Sequence, residues 1–155
     1  ISKDYQIIWQ TGKNYSYKLC NHFDAAKSKN IFVQEFIYEM PQAYAAADVI
    51  ISRAGAIAVS EIAAIAKPVI FIPSPNVTDD HQTKNAMVFV NHKAALLVKD
   101  DVARESLGSA LFALIDDKNA RSEMCENLKK LAMPDAAKSI AKKIIELREK
   151  KLNGR

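Results

Sequence analysis

The chain has 155 residues, 49% hydrophobic and 26% charged, with a formal net charge of +4 at pH 7. That length suits one domain with a real core and is short for two, and the balance excludes an intrinsically disordered chain. No apolar run approaches the roughly 20 residues of a membrane span, and Ile1-Ser2-Lys3-Asp4 carries no basic-then-apolar leader.

Much of the positive charge lies late in the chain, at Lys138, Lys142, Lys143, Arg148, Lys150, Lys151 and Arg155. Nucleic acid or an anionic membrane could use such a tail, but a solvated helix face is the plainer reading, and no nucleic-acid partner is expected. Cys20 and Cys125 are far apart and lack metal-ligand spacing, as expected for reduced thiols of a cytosolic protein. The absence of an initial Met suits a fragment.

In chain order, short apolar runs alternate with helical patterns, the signature of a parallel α/β sheet. Strands are predicted at residues 6–10, 31–36, 48–52, 68–72 and 95–98. Helices are predicted at 15–28, 41–46, 56–66, 80–92, 102–116, 120–131 and 134–150. The continuous apolar runs Val49-Ile-Ile51, Val69-Ile-Phe-Ile72 and Ala95-Leu-Leu-Val98 suit strands covered on both faces. In the last helix Ile140, Ile144, Ile145 and Leu147 form a stripe expected to pack on the body. Trp9 and Tyr44 are expected in the core or an interface. With no linker or repeat, residues 1–155 read as one domain.

Parallel sheets bind ligands at the carboxyl ends of their strands. The segment Asp48–Glu61 runs from an apolar strand through Ala54-Gly55-Ala56 into a helix, and the small residues permit close approach to the backbone. Only Ser52 could reach back as a cap, so the N–H groups of Ala56, Ile57 and Ala58 are candidates for an anion. Glu61 shares a helix face with Ile57 and could accept ribose hydroxyls. A small-residue helix packed tightly on its sheet explains the same residues equally well.

The next loop, Pro73–Asn85, leads into a helix that Thr78 or Asp79 could cap. Gln82 offers donors and an acceptor suited to sugar hydroxyls. Asp79 and Gln82 also have capping-box spacing, which would turn Gln82 onto its own backbone; on the residues alone that is slightly the stronger reading. His81 lies in the first turn without a histidine partner. Asp79-Asp80-His81 is too compact to converge on one metal ion, and none is expected. At other strand ends, Thr11-Gly12 and the backbone of Ile37 are candidate contacts, Ile37 for a base edge. On the residues alone an ordinary βα turn is the stronger reading of both.

Taken together these segments resemble the MurG family, bacterial transferases that add N-acetylglucosamine to undecaprenyl-diphospho-N-acetylmuramoyl-pentapeptide. The matching stretches are Trp9-Gln-Thr-Gly-Lys13, Glu35-Phe-Ile37 with Met40, Ala43-Tyr-Ala-Ala-Ala-Asp-Val49, Arg53-Ala-Gly-Ala56, Val59-Ser-Glu-Ile-Ala-Ala64, Asp80-His-Gln-Thr83 with Asn85-Ala86, and Met133-Pro-Asp-Ala136, in the family's order.

The resemblance implies a Rossmann-like parallel sheet with flanking helices, the C-terminal domain of a GT-B glycosyltransferase. The family's first strand and Gly-rich phosphate loop are missing from this chain, as is the acceptor domain, which carries the catalytic base and the membrane-facing patch. By motif match, UDP-N-acetylglucosamine would meet Ile37 at uracil, Ala56, Ile57 and Ala58 at diphosphate, Glu61 at ribose, and His81 and Gln82 at the sugar. Thr11, Gly12, Arg53 and Gly55 are further candidates.

Many relatives carry a second glutamine in place of His81. The resemblance implies no cofactor and no catalytic residue in this chain, so the isolated fragment is expected to be inactive. It implies a lipid-linked acceptor reached through the missing domain and a peripheral position on the cytoplasmic face of the inner membrane. An exposed sheet edge could drive homodimerisation. Rival readings are another GT-B enzyme of UDP-N-acetylglucosamine such as a 2-epimerase, a flavodoxin-like regulatory module, and a subunit that works with a membrane-anchored partner. The first would need a paired acid–base carboxylate set; the second, an acidic cluster after the first strand.

Overall fold

A computed structural model describes residues 5–13 and 30–153. The chain divides into two compact units, one ending at Ala47 and the other beginning at Asp48. The predicted helix at 15–28 lies outside the described residues, as does Cys20.

In the first unit, β1 (Ile7–Gln10) pairs in parallel with β2 (Ile31–Gln34), with Ile7 opposite Ile31 and Gln10 opposite Gln34. The pairing runs on past the strands: the N–H of Thr11 donates to Gln34 O at 2.9 Å and that of Gly12 to Glu35 O at 3.0 Å. Helix α1 (Met40–Ala46) follows, with Pro41 in its first turn, where a missing N–H costs nothing. Ile8 and Phe32 stand opposite each other on one face of the ribbon, and both are exposed. Trp9 is exposed as well, so of the expected core or interface position the core one is not met. A two-stranded ribbon has too little surface to enclose a ring of that size.

The second unit holds β3 (Ile50–Ser52), β4 (Val69–Phe71) and β5 (Leu96–Leu97) in the order β3-β4-β5, all parallel. Between them run α2 (Ala56–Ile65) and α3 (His81–Asn91). After β5 a 3-10 turn, Asp100–Val102, leads into α4 (Ala103–Asp116), α5 (Lys118–Leu131) and α6 (Ala136–Asn153). The observed strands are shorter than the predicted runs by one or two residues at their ends, although Pro68, Ile72 and Val98 just beyond them still make inter-strand hydrogen bonds.

Among the described residues every buried apolar side chain of the core belongs to this second unit. Central strand β4 is buried throughout, as the unbroken apolar run predicts. On the flanking strands Ile51 and Leu96 remain partly exposed, so burial on both faces holds for β4 and not for its neighbours. Helix α2 lays Val59, Ile62 and Ala63, spaced i, i+3 and i+4, into the core. Met124 and Leu128 of α5 do the same, and the Met124 thioether accepts the Val69 N–H at 3.2 Å. Asp117 caps α5 by accepting the Ala120 N–H at 2.9 Å.

Helix α6 departs from expectation. Ile140, Ile144, Ile145 and Leu147 are all more than half exposed, so the stripe does not pack on the body. Its spacing defines which face is apolar; it carries no information on what covers that face. Among the described residues no helix is long and apolar enough to cross a membrane.

Candidate functional site

In the second unit the turn from β3 to α2 is built from Arg53, Ala54 and Gly55. Gly55 is the N-cap residue, in extended conformation at φ −65° and ψ 151°, and no side chain caps the helix. Ser52 does not reach it, because its Oγ donates to the adjacent Arg53 O at 2.9 Å. The first three helical residues therefore present N–H groups without intrahelical acceptors, and the helix dipole adds partial positive charge there. Ala54 is fully buried beneath the turn, while Ile57 stands 76% exposed above it. A Cβ built on Gly55 meets nothing within 4 Å, so the space over the turn is open. Glu61 is exposed on the second turn of α2.

The start of α3, entered from a 3-10 turn at Thr78–Asp80, also has no side-chain cap. Asp79 and Asp80 both adopt left-handed backbone conformations, φ 54° and 52°, and Asp80 as N-cap makes no side-chain hydrogen bond. The expected capping box and the Asp79 cap therefore do not form, while the Thr78 side chain lies outside the described residues. A capping box needs an extended N-cap residue, and a left-handed pair enters the helix from another direction. The Gln82 Oε1 instead accepts the Ser74 N–H at 2.9 Å. Its acceptor is thus engaged with the loop after β4, which leaves the two Nε2 donors. Asp79 Oδ2 lies 3.8 Å from His81 Nε2, with both side chains mostly exposed. Among the described residues no cluster of three His, Cys, Asp or Glu side chains is arranged to hold a metal ion.

Two side chains tie these segments together. Arg53 Nη1 donates to Ile72 O at 3.1 Å, to Pro73 O at 3.3 Å and to the Asp100 carboxylate. Asn85 Nδ2, one turn into α3, donates to Ala54 O at 3.1 Å. Arg53 is thereby a link between the carboxyl ends of β3 and β4 and the turn after β5.

In the first unit, Gly12 sits at φ +72°, a conformation that favours glycine. Thr11 Oγ1 donates to Gly12 O at 3.2 Å and Gln34 O at 3.3 Å. The N–H of Ile37 donates to Gln10 Oε1 at 2.9 Å, so a base edge would have to displace the Gln10 side chain to reach it. Ile37 lines a groove of about 430 Å³ with Ile8, Gln34, Tyr38, Glu39 and Gln42, and Tyr38 is 86% exposed. The Tyr38 ring packs edge-on against Phe36 at 5.2 Å, and an exposed aromatic is a surface on which a planar ring can stack. Gln10, Tyr38, Ser74 and Asn85 were not among the candidate ligand contacts, although the matching stretches Trp9–Lys13 and Asn85-Ala86 contain Gln10 and Asn85.

Comparison with known proteins bears on this arrangement. The glycosyltransferase family 28 C-terminal domain matches residues 1–140, and the chain belongs to that family. It is 49% identical over 145 residues to the UDP-N-acetylglucosamine–N-acetylmuramyl-(pentapeptide) pyrophosphoryl-undecaprenol N-acetylglucosamine transferase of Bacteroides fragilis, covering 93% of this chain and 38% of that protein. The protein of the same name from Flavobacterium psychrophilum is 44% identical over 151 residues, 96% of this chain and 40% of the relative.

Among solved structures, MurG of Acinetobacter baumannii superposes with a TM-score of 0.77 at 29% identity, over 91% of this chain and 41% of that one. The α/β fold with parallel sheets and flanking helices is thus that of the corresponding part of MurG. The chain spans about two fifths of the length of these relatives.

Proposed function

We propose that this chain is the donor-binding domain of an enzyme that transfers N-acetylglucosamine from UDP-N-acetylglucosamine to a lipid-linked muramoyl-pentapeptide in peptidoglycan synthesis. The observation that carries the reading is the uncapped start of α2 at Gly55, open above and free of any side-chain cap. It offers a diphosphate converging N–H groups and a favourable dipole. The transferase named in the relatives from Bacteroides fragilis and Flavobacterium psychrophilum uses a donor of that chemistry.

In this reading Ala56, Ile57 and Ala58 hold the diphosphate, Glu61 the ribose, and His81 and Gln82 the sugar. Ile37 takes uracil, with Tyr38 alongside and Gln10 displaced. Thr11 and Gly12 shape the turn after β1. The N–H groups at α2 stabilise the charge that develops on the leaving UDP, as preorganised donors do. The chain supplies no catalytic base, so transfer needs the rest of the polypeptide, and the isolated chain is inactive. The family match across both units supports treating residues 1–155 as one donor-binding domain. The intact enzyme works at the cytoplasmic face of the membrane as a peripheral protein. An exposed sheet edge would let isolated chains dimerise.

Calorimetric titration of the intact polypeptide with UDP, UDP-N-acetylglucosamine, ADP and GDP tests the reading. Uridine ligands should bind and the purine diphosphates should not. Equal affinity for all four, or a preference for a purine, would overturn it.

A further inference from the structure

Hydrogen bonds of Arg53, Gln82 and Asn85 close a ring in the second unit. Arg53 reaches from the β3–α2 turn to Ile72 O, Pro73 O and Asp100. The next residue of that loop, Ser74, is held by Gln82 of α3. One turn further along α3, Asn85 returns to Ala54 O, beside Arg53. The ring passes through the residues adjoining both uncapped helix starts, at Gly55 and at Asp80.

An uncapped helix terminus is useful to a ligand only if its N–H groups are held still, because an unanchored first turn frays. Here neither terminus is fixed by a cap of its own. The α2 start is held from outside the helix by Asn85, which binds Ala54 O and leaves the α2 N–H groups unoccupied, whereas the α3 start is tied to the loop before it by its own Gln82, which accepts the Ser74 N–H. Ala54 is fully buried and Asn85 half-buried, so the Asn85 bond lies in a setting where an unsatisfied carbonyl is costly. Arg53, with one nitrogen serving two carbonyls and a carboxylate, has little capacity left on that nitrogen for a phosphate.

We propose that Arg53 and Asn85 are positioning residues for the donor site, setting the α2 and α3 starts at a fixed separation so that one ligand engages both. This rests on the donor-site reading above and assigns Arg53 a role distinct from direct phosphate contact. Asn85 acts through Ala54 O on the height of the Gly55 turn. Arg53 acts through Ile72 and Pro73 on the loop that orients Gln82.

The test uses the intact polypeptide and the variants Asn85→Ala, Arg53→Lys and Asp100→Asn, the last two being gentle enough to keep the fold. Each is measured for UDP affinity by calorimetry, for donor KM against kcat, and for amide hydrogen exchange at residues 54–58. UDP affinity should fall about tenfold in Asn85→Ala, as expected when one bond that orders a site is lost, with faster exchange at residues 54–58 and an unchanged KM for the lipid acceptor.

Arg53→Lys keeps the charge but loses the fork that spans the carbonyls, so it should weaken UDP-N-acetylglucosamine more than UDP, because its effect passes through Gln82. Asp100→Asn keeps an acceptor and should restore near-parental values. Combined Asn85→Ala and Arg53→Lys should cost less than the sum of the two, as for members of one network. If the parent binds UDP and Asn85→Ala and Arg53→Lys bind it and UDP-N-acetylglucosamine equally well, with exchange unaltered, the positioning role is wrong and the donor site stands. If the parent binds no uridine nucleotide, both fail together. A lowered thermal midpoint with unaltered affinity at ambient temperature would mark the ring as structural only and also overturn the proposal.

Discussion

The side-chain oxygen of Gln82 accepts the Ser74 N–H at 2.9 Å, and this single bond decides what the glutamine can offer a ligand. With one lone pair of Oε1 committed to the loop after β4, the two Nε2 donors are the groups that bond leaves untouched. A phosphate oxygen meeting Gln82 accepts from Nε2.

Gln82→Glu separates the two jobs of this side chain. The carboxylate can still accept from Ser74, so the thermal midpoint should change little. The donors are lost and a negative charge is introduced beside a proposed diphosphate site, so UDP-N-acetylglucosamine should bind more weakly by about 1–3 kcal/mol. Titration of variant and parent decides the matter. Equal affinities would show that Gln82 has only the loop to hold.

Glu61→Ala should weaken UDP through lost charge-assisted hydrogen bonds to the ribose, by a few kcal/mol at most. The sharper comparison uses 2′-deoxy-UDP. If the carboxylate spans both hydroxyls, the parent should discriminate against the deoxy ligand and Glu61→Ala should not. Discrimination that survives in the variant would remove Glu61 from the ribose. The residue is exposed on α2, so the substitution itself should leave stability within about 0.5 kcal/mol.

Phe71 is fully buried in β4, with its ring 5.9 Å from that of Phe89 on α3. Phe71→Ala should cost about 3–5 kcal/mol, the range for removing a large core aromatic. Urea unfolding monitored by circular dichroism measures it, and the loss should appear in the midpoint with the slope unchanged. A cost below about 1 kcal/mol would mean that the second unit lacks a close-packed core around β4.

These residues also show where the sequence speaks and where it is silent. The β4 run Val69-Ile70-Phe71 could be read as a central strand because an apolar run without alternation leaves neither face of the strand suited to water. The turn at Gly55 was legible for a similar reason: small residues between an apolar strand and a helix leave no side chain to cap it. The fate of Gln82 was not legible. Asp79 and Gln82 have capping-box spacing, but two consecutive left-handed residues at Asp79 and Asp80 exclude that geometry, and backbone sign at aspartate is a tertiary outcome. The bond from Ile37 to Gln10 joins residues 27 apart in sequence, and that from Asn85 to Ala54 spans 31. No local pattern encodes such pairs. The stripe on α6 was legible as a stripe, whereas its exposure depends on what lies beside it.

The two glycines at strand ends give a prediction in which stability and binding part company. Gly12 stands at φ +72°, where a Cβ is strained whatever the space, whereas Gly55 stands at φ −65°, where any residue is comfortable. A built Cβ meets no neighbour within 4 Å at either position, so packing contributes to neither substitution. Gly12→Ala should therefore destabilise the protein by about 1 kcal/mol through backbone strain alone. Gly55→Ala should alter stability by only about 0.5 kcal/mol, the modest difference between glycine and alanine at an N-cap. Yet the new methyl group would stand over the α2 start, where the diphosphate is proposed to rest against the backbone, and UDP affinity should fall by tenfold or more, about 1.4 kcal/mol. Thermal unfolding and calorimetry on the two variants complete the test. UDP affinity unmoved in Gly55→Ala would mean that no ligand approaches that turn closely, and the anion would have to be sought elsewhere.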